Sequence, residues 1–130
     1  MNSPQKEIML DDTSLLVSET DSKGNIVYAN DTFLEVAQYQ LDELIGKPHN
    51  IIRHPDMPRS AFKNLWKTIK NGEVWEGFVK NYTKSGNFYW VYATVFPYGD
   101  NHYLSVRKMA TRDEIEKYEK IYKKMCQEEK

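Results

Sequence analysis

The alternation of apolar and polar residues in the first part of the chain predicts a hairpin followed by a helix. Residues 15–20 and 25–29 have the pattern of two strands, and Gly24 between them supplies the positive φ that a tight hairpin turn requires. Helical spacing follows over residues 31–38, where Asp31 is available as the N-cap.

Two further helical segments precede the second half of the chain. A short helical turn is predicted over residues 41–45, ended by Gly46. A longer amphipathic helix, which ends at Gly72, is predicted from apolar residues at spacings of three and four, namely Phe62, Leu65, Trp66 and Ile69. Asp56 stands just before this helix and is its predicted N-cap.

The hydrophobic period then changes from that of a helix to that of a strand. Residues 75–83, 88–97 and 102–108 are rich in aromatic and β-branched residues and predict three strands joined by hairpin turns. Both faces of the middle segment are apolar, so we expect it to be a central strand covered on both sides.

The last part of the chain predicts one helix. Thr111 and Glu114 form a capping box, and an apolar stripe follows at Ile115, Tyr118, Tyr122 and Met125. This stripe either packs on its own domain or joins two copies of the chain, and the sequence leaves both open. The resulting fold class is α+β, a five-stranded antiparallel sheet with short helices packed on one face plus a C-terminal helix.

Composition narrows the range of functions. The 130 residues make one domain, with an N-terminal arm over 1–14, a globular unit over 15–110 and the terminal helix over 111–130. No apolar run approaches the length of a membrane span, and a formal net charge of -1 gives no footprint for nucleic acid. The single cysteine, Cys126, excludes an internal disulfide and suits a cytoplasmic protein.

The sequence offers little for catalysis. It contains no nucleophile elbow, no phosphate-binding loop and no dinucleotide-binding glycine motif, so we expect no enzyme. His49, His54 and Asp56 share a proline-interrupted loop, but their spacing fits no standard metal site.

The segment Arg53-His54-Pro55-Asp56 has two interpretations. In the structural one, Asp56 caps the next helix and Arg53 pairs with an acid. In the functional one, a loop stiffened by prolines directs a guanidinium and an imidazole at an anionic ligand.

The tryptophans can likewise be core residues or the walls of a slot for a planar ligand. Trp66 lies on the apolar stripe of its helix, whereas Trp75 opens a strand, where a large ring is less readily buried. If a slot exists, Asn30 and Asn81 offer amide groups for hydrogen bonds to the ligand.

Several segments together resemble the PAS sensor domains. TDSKGNIVYAN, DTFLEVAQY and LDELIGKP are similar to the first half of that fold, and VKNYTKSGNFYWVYATVFP resembles its long paired strands. More narrowly, LIGKPHNIIRHPDMP, AFKNLW and WEGFVKN resemble the PAS domain of bacterial aerotaxis receptors, which bind FAD. The likeness extends from Leu16 to Arg107.

The resemblance implies non-covalent FAD held between helices and sheet, with the redox state of the flavin as the signal. It implies a set of cofactor-binding residues spread over both halves of the domain: Asn30, Arg53, His54, Asp56, Trp66, Trp75, Lys80 and Asn81. In this interpretation the asparagines pair with the flavin edge, Arg53 and Lys80 neutralise the pyrophosphate, and a tryptophan stacks on a ring. There are two alternatives. The first is haem bound by His54 or His49, and the second is a ligand-free interaction module whose pocket is filled by aromatic side chains.

The same resemblance implies partners. The expected function is a redox or oxygen sensor for energy taxis that signals to a chemoreceptor-type transducer by conformational change and forms a homodimer, meeting the membrane only through that partner. Because the chain ends after one helix, we expect the stand-alone PAS partner of a two-protein receptor, with a fragment of a longer receptor as the alternative. Light-sensing flavin domains need a cysteine beside the flavin, so with only Cys126 in the tail we expect no photoadduct.

Overall fold

The computed structural model describes residues 5–129, and its strands form one antiparallel sheet. The strands are β1 (Leu16–Thr20), β2 (Ile26–Ala29), β3 (Trp75–Tyr82), β4 (Phe88–Tyr98) and β5 (His102–Met109). Their spatial order is β2-β1-β5-β4-β3. The predicted α+β class is therefore confirmed, and β4 is an interior strand as expected, although the middle position belongs to β5.

Four α-helices and one 3-10 helix complete the described chain. They are α1 (Asp31–Ala37), α2 (Leu41–Leu44), the 3-10 helix at His49–Ile52, α3 (Arg59–Lys70) and α4 (Arg112–Glu128). The first three connect β2 to α3, and α4 follows β5. Thr111 and Glu114 form the predicted capping box at the start of α4.

Two predicted helix caps are wrong. Asn30, not Asp31, caps α1, because its side-chain oxygen accepts hydrogen bonds from the backbone N–H of Phe33 and, across the turn, of Val17, both at 3.0 Å. Pro58 occupies the N-cap position of α3 and offers no capping side chain, so Asp56 lies too far ahead to serve.

The two faces of the sheet carry different layers. Alternate residues of a strand point to opposite faces, so Val79 and Asn81 face α3 whereas Phe78 faces α4. The Phe78 ring lies 4.4 Å from that of Tyr118, and the Trp90 ring stacks on Tyr122 at 6.1 Å, both distances between ring centroids. The terminal stripe thus packs on its own sheet, the first of the two alternatives. Self-association stays a prediction.

The outer edge of β3 is covered by other parts of the chain. The Lys80 carbonyl accepts from the backbone N–H of His54 at 3.2 Å, and the Lys80 N–H lies 3.3 Å from the sulfur of Met57. The Tyr122 hydroxyl donates to the Phe78 carbonyl at 2.6 Å. The loop before α3 and the middle of α4 therefore use groups of β3 that an edge strand leaves open.

Part of the predicted N-terminal arm pairs with β4. The backbone N–H of Ile8 donates to the Phe88 carbonyl at 2.7 Å, and the Phe88 N–H donates to the Lys6 carbonyl at 2.9 Å. Glu7 also pairs with Arg112 at 2.7 Å, which ties the arm to α4. Residues 1–4 of the predicted arm and residue 130 of the predicted helix lie outside the described residues.

Candidate functional site

A cavity of about 440 Å³ lies between α3 and the inner face of the sheet. This volume is within the range of sites that take small molecules and cofactors. Its walls are largely apolar and come from α3 and from the two strands that α3 crosses, at Phe62, Leu65, Trp66, Ile69, Val79, Ala93 and Val95. The ligand-free alternative required aromatic side chains to fill this space, and they do not fill it.

Trp66 forms one end of the wall. Its ring meets the ring of Tyr103 edge-on at a centroid distance of 5.6 Å. It also lies against the hairpin turn, so that a Cβ placed on Gly24 would be 2.9 Å from the indole. Glycine is required there both for this close approach and for its φ of +85°. The turn between β1 and β2 therefore sets the position of Trp66 in the cavity.

The charge around the cavity has one sign. Five basic side chains from separate parts of the fold line it, and none of its described lining residues is acidic: Lys23, Arg53, Arg59, Lys63 and Arg107. The chain as a whole is nearly neutral, with a formal net charge of -1. This local excess of positive charge favours an anionic ligand.

Arg107 is the most deeply placed of these cations and is 3% exposed. Its guanidinium donates to the hydroxyl of Ser18 at 2.7 Å and to Nε2 of His49 at 2.6 Å, and it lies 4.8 Å from the ring centroid of Phe33. No acidic side chain of residues 5–129 pairs with it. Burial lowers the pKa of Arg107 to about 10, which leaves it charged at neutral pH.

His49 is held neutral beside this cation. Enclosure by the protein and the charge of Arg107 lower the pKa of His49 to about 3. Its Nε2 therefore accepts from the guanidinium. A buried cation that has only neutral partners is costly, unless a ligand in the cavity supplies electron density or negative charge.

A second buried polar side chain of the cavity wall has a hydrogen-bonding group that is not satisfied within the described residues. Asn81 is 3% exposed and lines the cavity from β3, and Tyr89 lies opposite it on β4. Within the described part of the chain, neither the Asn81 amide nitrogen nor the Tyr89 hydroxyl completes a hydrogen bond. A buried amide donor without an acceptor is rare in proteins. A small movement lets these two groups satisfy each other, and a rotation of the Asn81 side chain would instead turn its amide to a ligand acceptor such as a ring carbonyl.

Three of the eight predicted cofactor-binding residues line this cavity: Arg53, Trp66 and Asn81. Arg53 and Asn81 face each other across an antiparallel bridge, which brings the end of the 3-10 helix to β3. The Arg53 guanidinium also lies 4.7 Å from the ring centroid of Phe62. Arg53 thus lies at the cavity, and its role in binding a ligand stays a prediction.

Asn30 and Trp75 lie elsewhere. Asn30 is used by the N-cap of α1, and its amide nitrogen donates to the Leu15 carbonyl at 2.9 Å. Trp75 is 8% exposed, not loosely buried as its position at the start of a strand indicated. Its ring covers Gly77, where an added Cβ would lie 2.5 Å from the indole.

The remaining three predicted residues lie at the β3 edge. His54 is 3% exposed, its Nε2 bonds to Gln5 at 2.9 Å, and its Nδ1 accepts from the N–H of Asp56 at 3.0 Å. Burial, reinforced by the charge of Lys80, lowers the pKa of His54 to about 4. Lys80 forms a salt bridge with Asp56 at 2.9 Å, and this contact holds the pKa of Asp56 below its usual value. Their role in cofactor binding stays a prediction.

Sequence reasoning missed Arg107 altogether and named His49 only as a metal or haem ligand. The signal for Arg107 was present in β5, because Tyr103, Ser105 and Arg107 alternate with outward residues and share the inner face. A charged residue in the inward phase of an interior strand marks a site that needs the charge.

The ring nitrogens of His54 and Nε2 of His49 are already engaged by protein groups, which does not favour haem. An axial ligand needs a ring nitrogen that is open to iron. Within residues 5–129, no group of three or more histidine, cysteine or acidic side chains is placed to hold a metal ion. None of the described helices is long and apolar enough to cross a membrane.

Comparison with known proteins identifies sequences that are similar to this chain. The chain is 46% identical over 123 residues to the aerotaxis receptor of Escherichia coli K12, covering 92% of this chain and 24% of the receptor. It is 34% identical over 103 residues to the biofilm dispersion protein BdlA of Pseudomonas aeruginosa, covering 77% of this chain and 25% of that protein. The chain therefore spans about a quarter of the length of these relatives.

Solved structures and a family model also match this chain. A light-oxygen-voltage domain studied with a flavin analogue superposes with a TM-score of 0.66 at 26% identity, over 89% of this chain and 87% of that one. The RsLOV d2 variant superposes with a TM-score of 0.69 at 21% identity, over 78% of this chain and 62% of that one. Residues 26–111 match the family described as the PAS fold. The chain is a member of the PAS fold family.

Proposed function

We propose that this domain binds FAD non-covalently in the cavity and acts as a redox or oxygen sensor for energy taxis. One observation carries the proposal: among residues 5–129, the buried guanidinium in the cavity wall has neutral partners only, and the nearby Asn81 amide nitrogen completes no hydrogen bond. Both needs are met by a ligand with a polar, electron-rich ring edge. The names of two matched proteins, an aerotaxis receptor and a flavin-analogue domain, support this choice.

Different residues of the cavity are suited to different parts of the cofactor. The apolar wall around Trp66 suits a flat ring system, and the Asn81 amide, once turned from Tyr89 to the cavity, would donate to its polar edge. Lys23, Arg53, Arg59 and Lys63 lie on several elements around the same cavity, and their charges suit a phosphate-bearing chain. We therefore favour FAD over a flavin without phosphates.

A bound flavin supplies reversible electron transfer. Arg107 holds a fixed positive charge in the wall and stabilises negative charge that develops in the cavity. His49, kept neutral, does not compete for that negative charge. The protein binds the flavin and signals its redox state, and it catalyses no reaction. The signal passes by direct contact to a chemoreceptor-type transducer. The protein acts as a homodimer in the cytoplasm.

Flavin binding tests the proposal directly. The purified chain is titrated with FAD, FMN and riboflavin while the flavin fluorescence is followed, and the spectrum of the complex is taken under air and under dithionite. We expect binding of all three, tightest for FAD, with a reversible loss of the oxidised flavin bands. A chain that takes up none of them contradicts the proposal.

The rim charges have a matched control. Arg53→Gln is expected to weaken FAD and FMN binding about tenfold and riboflavin binding little, because a charge-assisted bond to phosphate is lost. Lys67→Gln removes an equal charge from α3 at a residue that does not line the cavity, and it should leave all three affinities unchanged. Equal losses for riboflavin and FAD in Arg53→Gln would exclude phosphate recognition by this residue.

A further inference from the structure

The end of α4 caps the beginning of α3. The carboxylate of Glu129 accepts hydrogen bonds from the backbone N–H groups of Arg59 at 3.1 Å and Ser60 at 2.9 Å. A hydrogen bond from the Ser60 side chain, together with these backbone bonds, lowers the pKa of Glu129, which is therefore ionised at neutral pH. Pro58 at the N-cap position supplies no capping side chain, so Glu129 satisfies donors that α3 cannot satisfy itself.

This cap joins the two layers on opposite faces of the sheet. Tyr122 in α4 stacks on Trp90 on the face away from the cavity, whereas α3 packs on the cavity side. The last turns of α4 pass the edge of β3, where Cys126 Sγ donates to the Asp56 carbonyl at 3.3 Å. The contact at Glu129 then reaches the first turn of α3.

The first turn of α3 is part of the cavity wall. Arg59, Phe62 and Lys63 line the cavity within five residues of the capped end. A cap fixes the backbone of the first helical turn, and hence the directions in which these side chains leave it. Glu129 therefore acts on the cavity through the backbone of this turn and through Arg59, whose Nε lies 3.9 Å from the Glu129 carboxylate.

We propose that Glu129 is a positioning residue for the cofactor cavity, which links the docking of α4 to cofactor occupancy through the first turn of α3. The inference rests on the proposed flavin binding and adds the route by which the cavity is connected to the terminal helix. Linkage is reciprocal, so a docked α4 strengthens flavin binding and bound flavin strengthens the docking of α4.

The single cysteine of the chain provides the measurement. Cys126 lies one helical turn before Glu129, and the rate at which its thiol reacts with Ellman's reagent reports release of the end of α4. The rate is measured on the full chain without flavin and at saturating FAD. Glu129→Ala removes the cap, and Glu129→Gln retains one acceptor oxygen. Glu128→Ala is the matched control, because Glu128 is exposed and makes none of these contacts.

We expect Glu129→Ala to raise the rate of the cofactor-free thiol reaction three- to tenfold, about the effect of losing a helix cap, with Glu129→Gln intermediate and Glu128→Ala unchanged. FAD should slow the reaction in the wild type and less so in Glu129→Ala, which should also bind FAD correspondingly more weakly.

Two results would overturn the inference. One is an equal thiol rate in Glu129→Ala and Glu128→Ala. The other is a wild-type thiol reaction rate that does not change when flavin is bound, with binding verified by the flavin absorbance. In that case the proposed flavin binding still stands. A chain that takes up no flavin contradicts the proposed function and the cofactor linkage together, whereas the cofactor-free rates still decide whether Glu129 holds α4 against α3.

Discussion

The guanidinium of Arg107 donates to Nε2 of His49 at 2.6 Å, so a cation in the cavity wall is held by an imidazole that cannot neutralise it. Both residues lie in a part of the protein where charge is costly. Without a ligand, this pair weakens the fold. When an electron-rich ligand is bound, the same pair helps to recognise that ligand. The first two predictions test Arg107 and His49 in turn.

Arg107→Met keeps much of the side-chain volume and removes the charge. We expect the free energy of unfolding of the cofactor-free chain to stay the same or rise, because Ser18 and His49 remain 3.0 Å apart and can satisfy each other. Flavin binding should weaken about 10- to 100-fold, from the loss of charge-assisted bonds. Urea denaturation and flavin titration measure the two effects. Arg112→Met, which breaks only an exposed pair with Glu7, is the control and should bind flavin normally.

His49 makes the stability of the fold depend on pH. In the unfolded chain it binds a proton below about pH 6.5, whereas in the folded chain it does so only near pH 3. The unfolded state therefore holds more protons between these values, and stability that is fully present above about pH 6.5 is lost as the pH falls. The slope is up to about 1.4 kcal/mol per pH unit for this group.

His49→Gln isolates that contribution. Glutamine offers an amide oxygen to Arg107 but does not titrate. Urea denaturation of both proteins between pH 4 and pH 6.5 should give a smaller slope for the variant, with the part due to His54 cancelling in the difference. Parallel curves for the two proteins would show that His49 is protonated in the fold.

The hairpin turn can be tested with two glycines. Gly24→Ala and Gly46→Ala both place a Cβ at a φ above +80°, but the added carbon meets Trp66 at 2.9 Å only in the first and nothing within 4 Å in the second. We expect a loss of about 1 kcal/mol in the free energy of unfolding for Gly46→Ala and roughly 2–4 kcal/mol for Gly24→Ala. Thermal and urea unfolding measure this. Gly24→Ala should also weaken flavin binding, because Trp66 must move, and equal losses in both variants would argue against that contact.

The position of Cys126 predicts the response to light. Its thiol bonds to the Asp56 carbonyl, and it is not among the described residues that line the cavity. The flavin-bound chain should therefore show no thiol-dependent bleaching under blue light, and Cys126→Ser should give the same spectra as the wild type. Bleaching that recovers in the dark and disappears in Cys126→Ser would contradict the assigned cavity.

Periodicity predicted the elements because each carries its own signal. The spacing of Phe62 and Ile69 and the alternation in β4 are local properties of the chain, and the structure confirms both elements. Arg53, Trp66 and Asn81 were named mainly through resemblance, and their positions depend on contacts that spacing does not report. The Glu129 cap joins residues 70 apart in sequence, so no local pattern indicates it. The caps assigned to Asp31 and Asp56 failed because a neighbouring residue held the N-cap position.

The covered edge of β3 has a consequence for the behaviour of the protein at high concentration. Open strand edges recruit further strands, and this is a common route to fibrils and amorphous precipitates. Here the carbonyls of Phe78 and Lys80 already accept from Tyr122 and His54. Loss of the Tyr122 hydroxyl would free the Phe78 carbonyl, and we expect such a variant to aggregate more readily than the wild type at the same concentration.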